Sequence, residues 1–268
     1  MADIFIFIQQ GWKNIWKQNV IWLFSALTLS NLLPRVAPNM RASNLLLSFL
    51  SLTEAIISLI LFYVGYIGVS YPAYCFSIGK SVTIRETLFA IKKFYGRVIG
   101  CSCLILLIFS PFLCLAAVII KKSTDPAPIL NNVILATLAF SSFSAIWEFT
   151  MFGFFANDLG IRQSLCEAWA LFTNHFGVLA ILGVVLPLIF RIYYAASGIL
   201  TVTIQSGFDV TSLSKLNYII PSTSLSNNIL FLLISTIGTI IFSPFSASVF
   251  TLAYLKYSEV KIPASVMQ

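Results

Sequence analysis

Residues 176–203 read FGVLAILGVVLPLIFRIYYAASGILTVT and carry a single charge, Arg191. At 1.5 Å per residue this stretch makes roughly 42 Å of helix, more than the ~30 Å of hydrocarbon in a bilayer. It shows no period-two alternation, and a backbone inside lipid must satisfy its own hydrogen bonds, so a helix is expected rather than a barrel strand. Comparable apolar stretches lie near 20–33, 55–78, 98–120, 129–155 and 229–254. The sequence therefore predicts an all-α integral membrane protein of about six transmembrane helices, forming a single membrane domain over 1–268. The stretch at 20–33 is short and stops at Pro34, so its span is expected to begin inside the helix before it.

Composition agrees with that reading. Of the 268 residues 59% are hydrophobic and 9% charged, with a mean hydropathy of +0.94, whereas soluble domains carry about 25% charged residues. An ordinary soluble enzyme is excluded. The net charge of +7 resides beside the apolar runs rather than in a compact basic domain, which argues against nucleic acid and for contacts with anionic head groups. Cys75, Cys101, Cys103, Cys114 and Cys166 all lie in or beside apolar stretches and read as small core residues. Cys101-Ser-Cys103 lacks both the spacer and the second ligand pair of a zinc site. Met1-Ala2-Asp3-Ile4 has no basic leader region, so the first helix is expected to be retained, and 258–268 reads as a short tail.

Three shorter segments have a different pattern, apolar on one side and polar on the other. In the first, Phe5, Ile8, Trp12, Ile15 and Trp16 oppose Gln9, Gln10, Lys13, Asn14 and Lys17. The second sets Ile84, Leu88, Ile91 and Tyr95 against Arg85, Glu86, Lys92 and Lys93; the third sets Ile161, Leu165, Ala168 and Phe172 against Arg162, Gln163 and Glu167. Each precedes an apolar stretch and is expected to lie at the membrane interface, with Trp12, Trp16, Lys13, Lys17, Lys92, Lys93 and Arg97 as anchors.

These segments mark an internal repeat. Ile84-Arg85-Glu86-Thr87-Leu88 aligns with Ile161-Arg162-Gln163-Ser164-Leu165 at an offset of 77 residues, and Pro34, Pro111 and Pro187 follow at intervals of 77 and 76. Three units are expected, near 4–79, 80–156 and 157–257, each an interfacial helix followed by a hairpin of two spans. Two crossings return the chain to its starting side, so the repeats are parallel. One face then holds Lys13, Lys17, Lys80, Arg85, Lys92, Lys93, Arg97, Arg162, Lys256 and Lys261, against Arg35, Arg41, Lys121, Lys122 and Lys215 on the other. The positive-inside rule makes the first face, with both termini, cytoplasmic; the membrane is expected to be the plasma (bacterial inner) membrane.

The segments GKSVTIRETLFAIKKFYGRVIG (79–100) and NDLGIRQSLCEAWALFTNHFGVL (157–179), with Phe242-Ser243-Pro244-Phe245 and Tyr254-Leu255-Lys256-Tyr257, carry a family likeness. The chain resembles uncharacterised bacterial membrane proteins related to the glycerophosphodiester phosphodiesterase membrane domain. The resemblance implies a helical membrane domain with amphipathic helices before its spans. Members joined to a soluble phosphodiesterase domain use His and acidic residues around a metal. This chain has one His and no such domain, so the resemblance implies no enzyme activity here.

Charges within spans cost about 2.5–3.5 kcal/mol on insertion scales and face a bundle interior. Glu148 and Arg191 are the candidates. Thr137, Ser141, Ser144 and Glu148 follow a 4-3-4 spacing that gives one span a polar stripe, and Asn228, Ser235, Thr239 and Ser246 form another. The stripes read either as interhelical hydrogen bonding or as the lining of a wet cavity. Measured from the cytoplasmic ends of their stretches, Glu148 lies about 11 Å deep and Arg191 about 22 Å, and coupling between them is expected. Glu54 starts a span and His175 sits at a helix junction, so both read as structural. No catalytic motif, metal-ligand set or cofactor signature is present. The expected function is non-enzymatic, an accessory or scaffold component acting at the cytoplasmic face on anionic lipid and a protein partner of unknown identity. A small-solute or lipid-related transporter using Glu148 and Arg191 is the alternative.

Overall fold

The computed structural model describes residues 2–28, 45–122, 144–205 and 229–258, and every described element is helical. In chain order these are α1 (Ala2–Ile15), α2 (Asn19–Ser25), α3 (Leu45–Ser77), α4 (Ile84–Lys122), α5 (144–157), α6 (Ile161–Asn174), α7 (Phe176–Gln205) and α8 (Ile229–Tyr257). Among the described residues, three segments are long and apolar enough to cross a membrane: Ala55–Ser77, Phe176–Thr201 and Leu233–Tyr257. Pro34, Thr137, Ser141 and Asn228 lie outside the described residues, as do the side chains of Glu54 and Arg191.

The surface of these helices explains their length. On α7, Leu188, Ile189, Ile192 and Leu200 are exposed, as are Ile56, Ile57 and Ile60 on α3 and Leu233 and Ile237 on α8. Apolar residues in such continuous bands suit lipid rather than water. Toward the end where α3 and α8 finish, the packing changes. Phe149, Met151, Phe152 and Phe154 of α5 and Val249, Phe250, Ala253 and Tyr254 of α8 are buried around the whole helix circumference. Rings interlock there: Phe152 lies 5.6 Å from Tyr254 and 6.4 Å from Tyr74, and Phe149 lies 5.7 Å from Tyr254. The structure thus has an apolar-surfaced half and a wrapped half, the latter ending in most of the described charged side chains.

Two amphipathic helices provide the wrapping, with differences from the sequence expectation. The face of α1 that packs is Ile4, Phe7, Gly11 and Ile15, while Phe5 is 69% and Trp16 57% exposed, and Trp12 also points outward. A Cβ on Gly11 would meet Val249, Phe7 is 6.2 Å from Tyr257, and Trp12 is 5.8 Å from Phe245. These contacts fall in reverse order along α8, so α1 runs back beside its final turns instead of resting free at an interface. Close approach at Gly11 selects the face; the bulky aromatics expected there cannot enter it.

The second amphipathic segment is not a separate helix. α4 is unbroken for 39 residues, roughly 58 Å at 1.5 Å per residue. Neither a proline nor a turn interrupts it near Tyr95, whereas α6 stops at Asn174-His175 and α1 at Trp16-Lys17-Gln18. Its packed face is Thr87, Ala90, Ile91, Phe94, Val98 and Cys101, leaving Ile84 and Leu88 exposed. The packed stripe is thus turned from the expected one, with the small Thr87 and Ala90 on the buried side in place of Ile84 and Leu88. In α6 the expected face holds: Ser164, Ala168 and Phe172 are buried and Ile161 and Leu165 half-buried.

Candidate functional site

The charged end is assembled from helix caps and ion pairs. α4 starts with a reciprocal cap: the Thr83 N–H donates to Glu86 Oε2 at 2.7 Å and the Glu86 N–H to Thr83 Oγ1 at 3.3 Å. Before α6, the Gly160 N–H donates to Gln163 Oε1 at 3.4 Å. The turn joining α5 to α6 is shaped by Asp158, whose φ of 52° is left-handed. Lys93 Nζ meets Asp158 Oδ2 at 2.8 Å and Arg97 Nη1 meets Oδ1 at 2.6 Å, and Arg97 also donates to the Asp158 and Leu159 carbonyls. Lys93 and Arg97, expected as lipid anchors, are thus engaged in holding this turn.

The first and last helices are joined at the same end. Lys256 Nζ lies 2.7 Å from Asp3 Oδ1, the Tyr257 hydroxyl donates to Asp3 Oδ2 at 3.4 Å, and His175 stacks on Tyr257 with ring centroids 4.2 Å apart. The buried Tyr254 hydroxyl donates to Glu167 Oε1 at 2.9 Å. The carboxyls of Asp3, Glu86 and Asp158 sit below the usual carboxylate range. For Asp3 the main cause is the bond from Lys256, for Glu86 the Thr83 backbone N–H, and for Asp158 the bonds from Lys93 and Arg97.

These contacts occupy all four acids placed at this end among the described residues, Asp3, Glu86, Asp158 and Glu167. Lys13, Lys17, Lys80, Arg85, Lys92 and Arg162 are exposed, and none has an ion-pair partner among the described residues. Trp12, Trp16 and Trp169 are exposed on the two wrapping helices. A cationic surface edged by indoles suits head groups of anionic lipid.

Deeper in the bundle, Glu148 is 8% exposed. It lies ten residues before Asp158, and Tyr66 lies eleven before the end of α3, so both are about 15 Å from the ends of their helices. The Tyr66 hydroxyl faces the Glu148 carboxyl, Ser70 and the Trp147 indole. Its ring is 5.8 Å from that of Trp147 and stacks on Phe62. Glu148 Oε2, Tyr66 Oη and Ser70 Oγ are each buried without a formed hydrogen bond among the described residues. Ser144, half-buried, is one turn before Glu148 on α5.

Sequence reasoning missed Tyr66 and Ser70. Their signal was available: Ser58, Tyr66, Ser70 and Ser77 follow an 8-4-7 spacing that places them on one face of α3. On the second expected stripe, Thr239 Oγ1 donates to the Ser235 carbonyl at 2.9 Å. Thr150, Ser197, Thr201 and Thr251 likewise donate to carbonyls four residues earlier. Hydroxyls bonded within their own helix need no water. Among the described residues no group of three or more His, Cys, Asp and Glu side chains could hold a metal. Compared with protein-family models, curated proteins and solved structures, the chain has no match. The functional reading therefore rests on the chain's own residues.

Proposed function

We propose that the chain is a non-enzymatic integral protein of the plasma (bacterial inner) membrane, an accessory or scaffold component that works through its charged end, which faces the cytoplasm with both termini. The observation that carries this reading is the division of charges there. Among the described residues, the four acids there are occupied internally while six cations and three indoles face outward. Such a surface holds anionic head groups and leaves a fixed platform for a protein partner. Six spans in three parallel repeats accord with two details. The Thr83–Glu86 and Gly160–Gln163 caps are offset by 77 residues, and both follow a left-handed residue, Gly79 and Asp158.

The test is native mass spectrometry of the tagged protein extracted gently from its own membrane. A protein partner retained in stoichiometric amount is the expected result. Recovery of the protein alone with one specific small molecule would displace the scaffold reading. It would favour a small-solute or lipid-related transporter, a second reading supported by the unpartnered Glu148 carboxyl oxygen. Flux measurements on Glu148→Gln and Arg191→Gln would then follow.

A further inference from the structure

Three buried oxygens without formed hydrogen bonds among the described residues, on Glu148, Tyr66 and Ser70, gather where α5 faces α3, the Tyr66 ring lying 5.8 Å from that of Trp147. An ionised carboxylate in such a place costs several kcal/mol unless a cation and further hydrogen bonds compensate it. Among the described residues no Lys, Arg or His lies within ion-pair distance of Glu148. Among the described residues, Tyr66, Tyr71 and Tyr74 from α3 and Tyr254 from α8, whose hydroxyl is taken by Glu167, make ring contacts with α5, and Cys75 and Cys101 share its buried clusters. None supplies positive charge. Arg191 is the one cation that the sequence places within a span, and its backbone lies roughly 22 Å along α7 from the charged end.

A dehydrated metal cation requires more oxygen ligands than this carboxyl and two hydroxyls supply; hard divalent ions take six or more. A proton requires one. With a proton on Glu148, the carboxyl has an O–H to donate toward Tyr66 or Ser70, and the Tyr66 hydroxyl retains a hydrogen to donate in turn, so the orphaned oxygens can satisfy one another. We infer that Glu148, Tyr66 and Ser70 form an exchangeable proton-binding site, with Glu148 as the carrier and Tyr66 as the positioning residue. The O–H bond of the carboxyl forms when a proton arrives from water and breaks when the proton returns to it. This goes beyond the scaffold reading and stands independently of it, because the site is remote from the cationic surface.

Infrared difference spectroscopy of the full chain in lipid vesicles tests the site. At pH 7 the intact protein minus Glu148→Gln should show the carbonyl stretch of a protonated carboxyl. That band should shift in D2O, and in Tyr66→Phe it should move to higher frequency as a hydrogen bond is lost. Gln matches the shape and neutrality of the protonated acid, so folding should be retained. Glu148→Asp, which should displace the band rather than abolish it, is the second variant. Absence of the band at pH 7 would overturn the inference: its appearance in Arg191→Gln would identify an ion pair, and its appearance on replacing sodium by choline a bound cation. A band unmoved by D2O, or unmoved in Tyr66→Phe, would also overturn it.

Discussion

Replacing Gly65 by alanine should separate α2 from α3. A Cβ at this position would lie 2.7 Å from the Thr28 backbone nitrogen and 2.9 Å from the Leu27 carbonyl carbon, where ordinary contact begins at 3.4 Å. The obstacle is backbone, so no rotamer change removes it, and the turn that continues α2 through Leu27 and Thr28 must retreat by roughly 0.7 Å, the difference between 3.4 and 2.7 Å. The retreat also opens the neighbouring contact, where the Phe24 ring lies directly over Gly68. Overpacking of this kind costs about 1–3 kcal/mol, against which alanine gains about 1 kcal/mol over glycine in a helix interior. A net loss of up to about 2 kcal/mol is expected. Gly96 on α4 is the internal control: a Cβ there meets nothing within 4 Å, so only the helix gain of up to about 1 kcal/mol remains. Equilibrium denaturation in mixed micelles, followed by tryptophan fluorescence, measures both, and Trp22 on α2 reports the contact directly. If Gly65→Ala is as stable as Gly96→Ala, or Gly96→Ala is less stable than the parent, the close packing of α2 on α3 is wrong.

Tyr254→Phe should cost about 1–2 kcal/mol, because it removes a buried hydrogen bond to the Glu167 carboxyl. Glu167→Gln keeps an acceptor and should cost less, a ranking the same denaturation measurement checks. At Asp158, Asn should destabilise less than Ala: both lose the pairs with Lys93 and Arg97, but Asn tolerates the left-handed backbone better. Thermal melts of the two variants would give the order. The depressed carboxyls of Asp3, Glu86 and Asp158 imply stability that is complete above the ordinary unfolded value near ~4 and is lost as pH falls through their lower folded values. Melting curves from pH 6 down to 2 should fall in that acidic window, and less steeply in Asp3→Asn. An equal slope in the variant would remove Asp3 from the account.

The helical class was legible because lipid leaves so few alternatives for an apolar backbone, and residues 55–78, 176–203 and 229–254 fall on membrane-length helices. Which face each amphipathic helix packs was less legible. Counting large apolar residues favoured Phe5, Trp12, Ile84 and Leu88, yet α1 packs where Gly11 allows close approach and α4 buries the small Thr87 and Ala90. The continuity of α4 was hidden for a related reason: a change from amphipathic to apolar pattern alters what a helix touches without ending it. At the candidate site Glu148 was evident as a charge in an apolar run, but Tyr66 was not, since tyrosine raises no alarm there and its meaning comes from the partner helix. The pairing of Lys93 and Arg97 with Asp158 depends on one left-handed residue, which no periodicity reveals.

The clasp between α1 and α8 also sets an order in time. Asp3 and Tyr257, which it joins, are 254 positions apart, and ribosomes add about 5–20 residues per second. After α1 emerges, roughly 13–50 s must pass before its partner exists. During that interval Ile4, Phe7 and Ile15 have no α8 to cover them, so α1 is fitted long after it is made. Whatever shelters it meanwhile, membrane surface or insertion machinery, acts as a temporary substitute for the chain's own final helix.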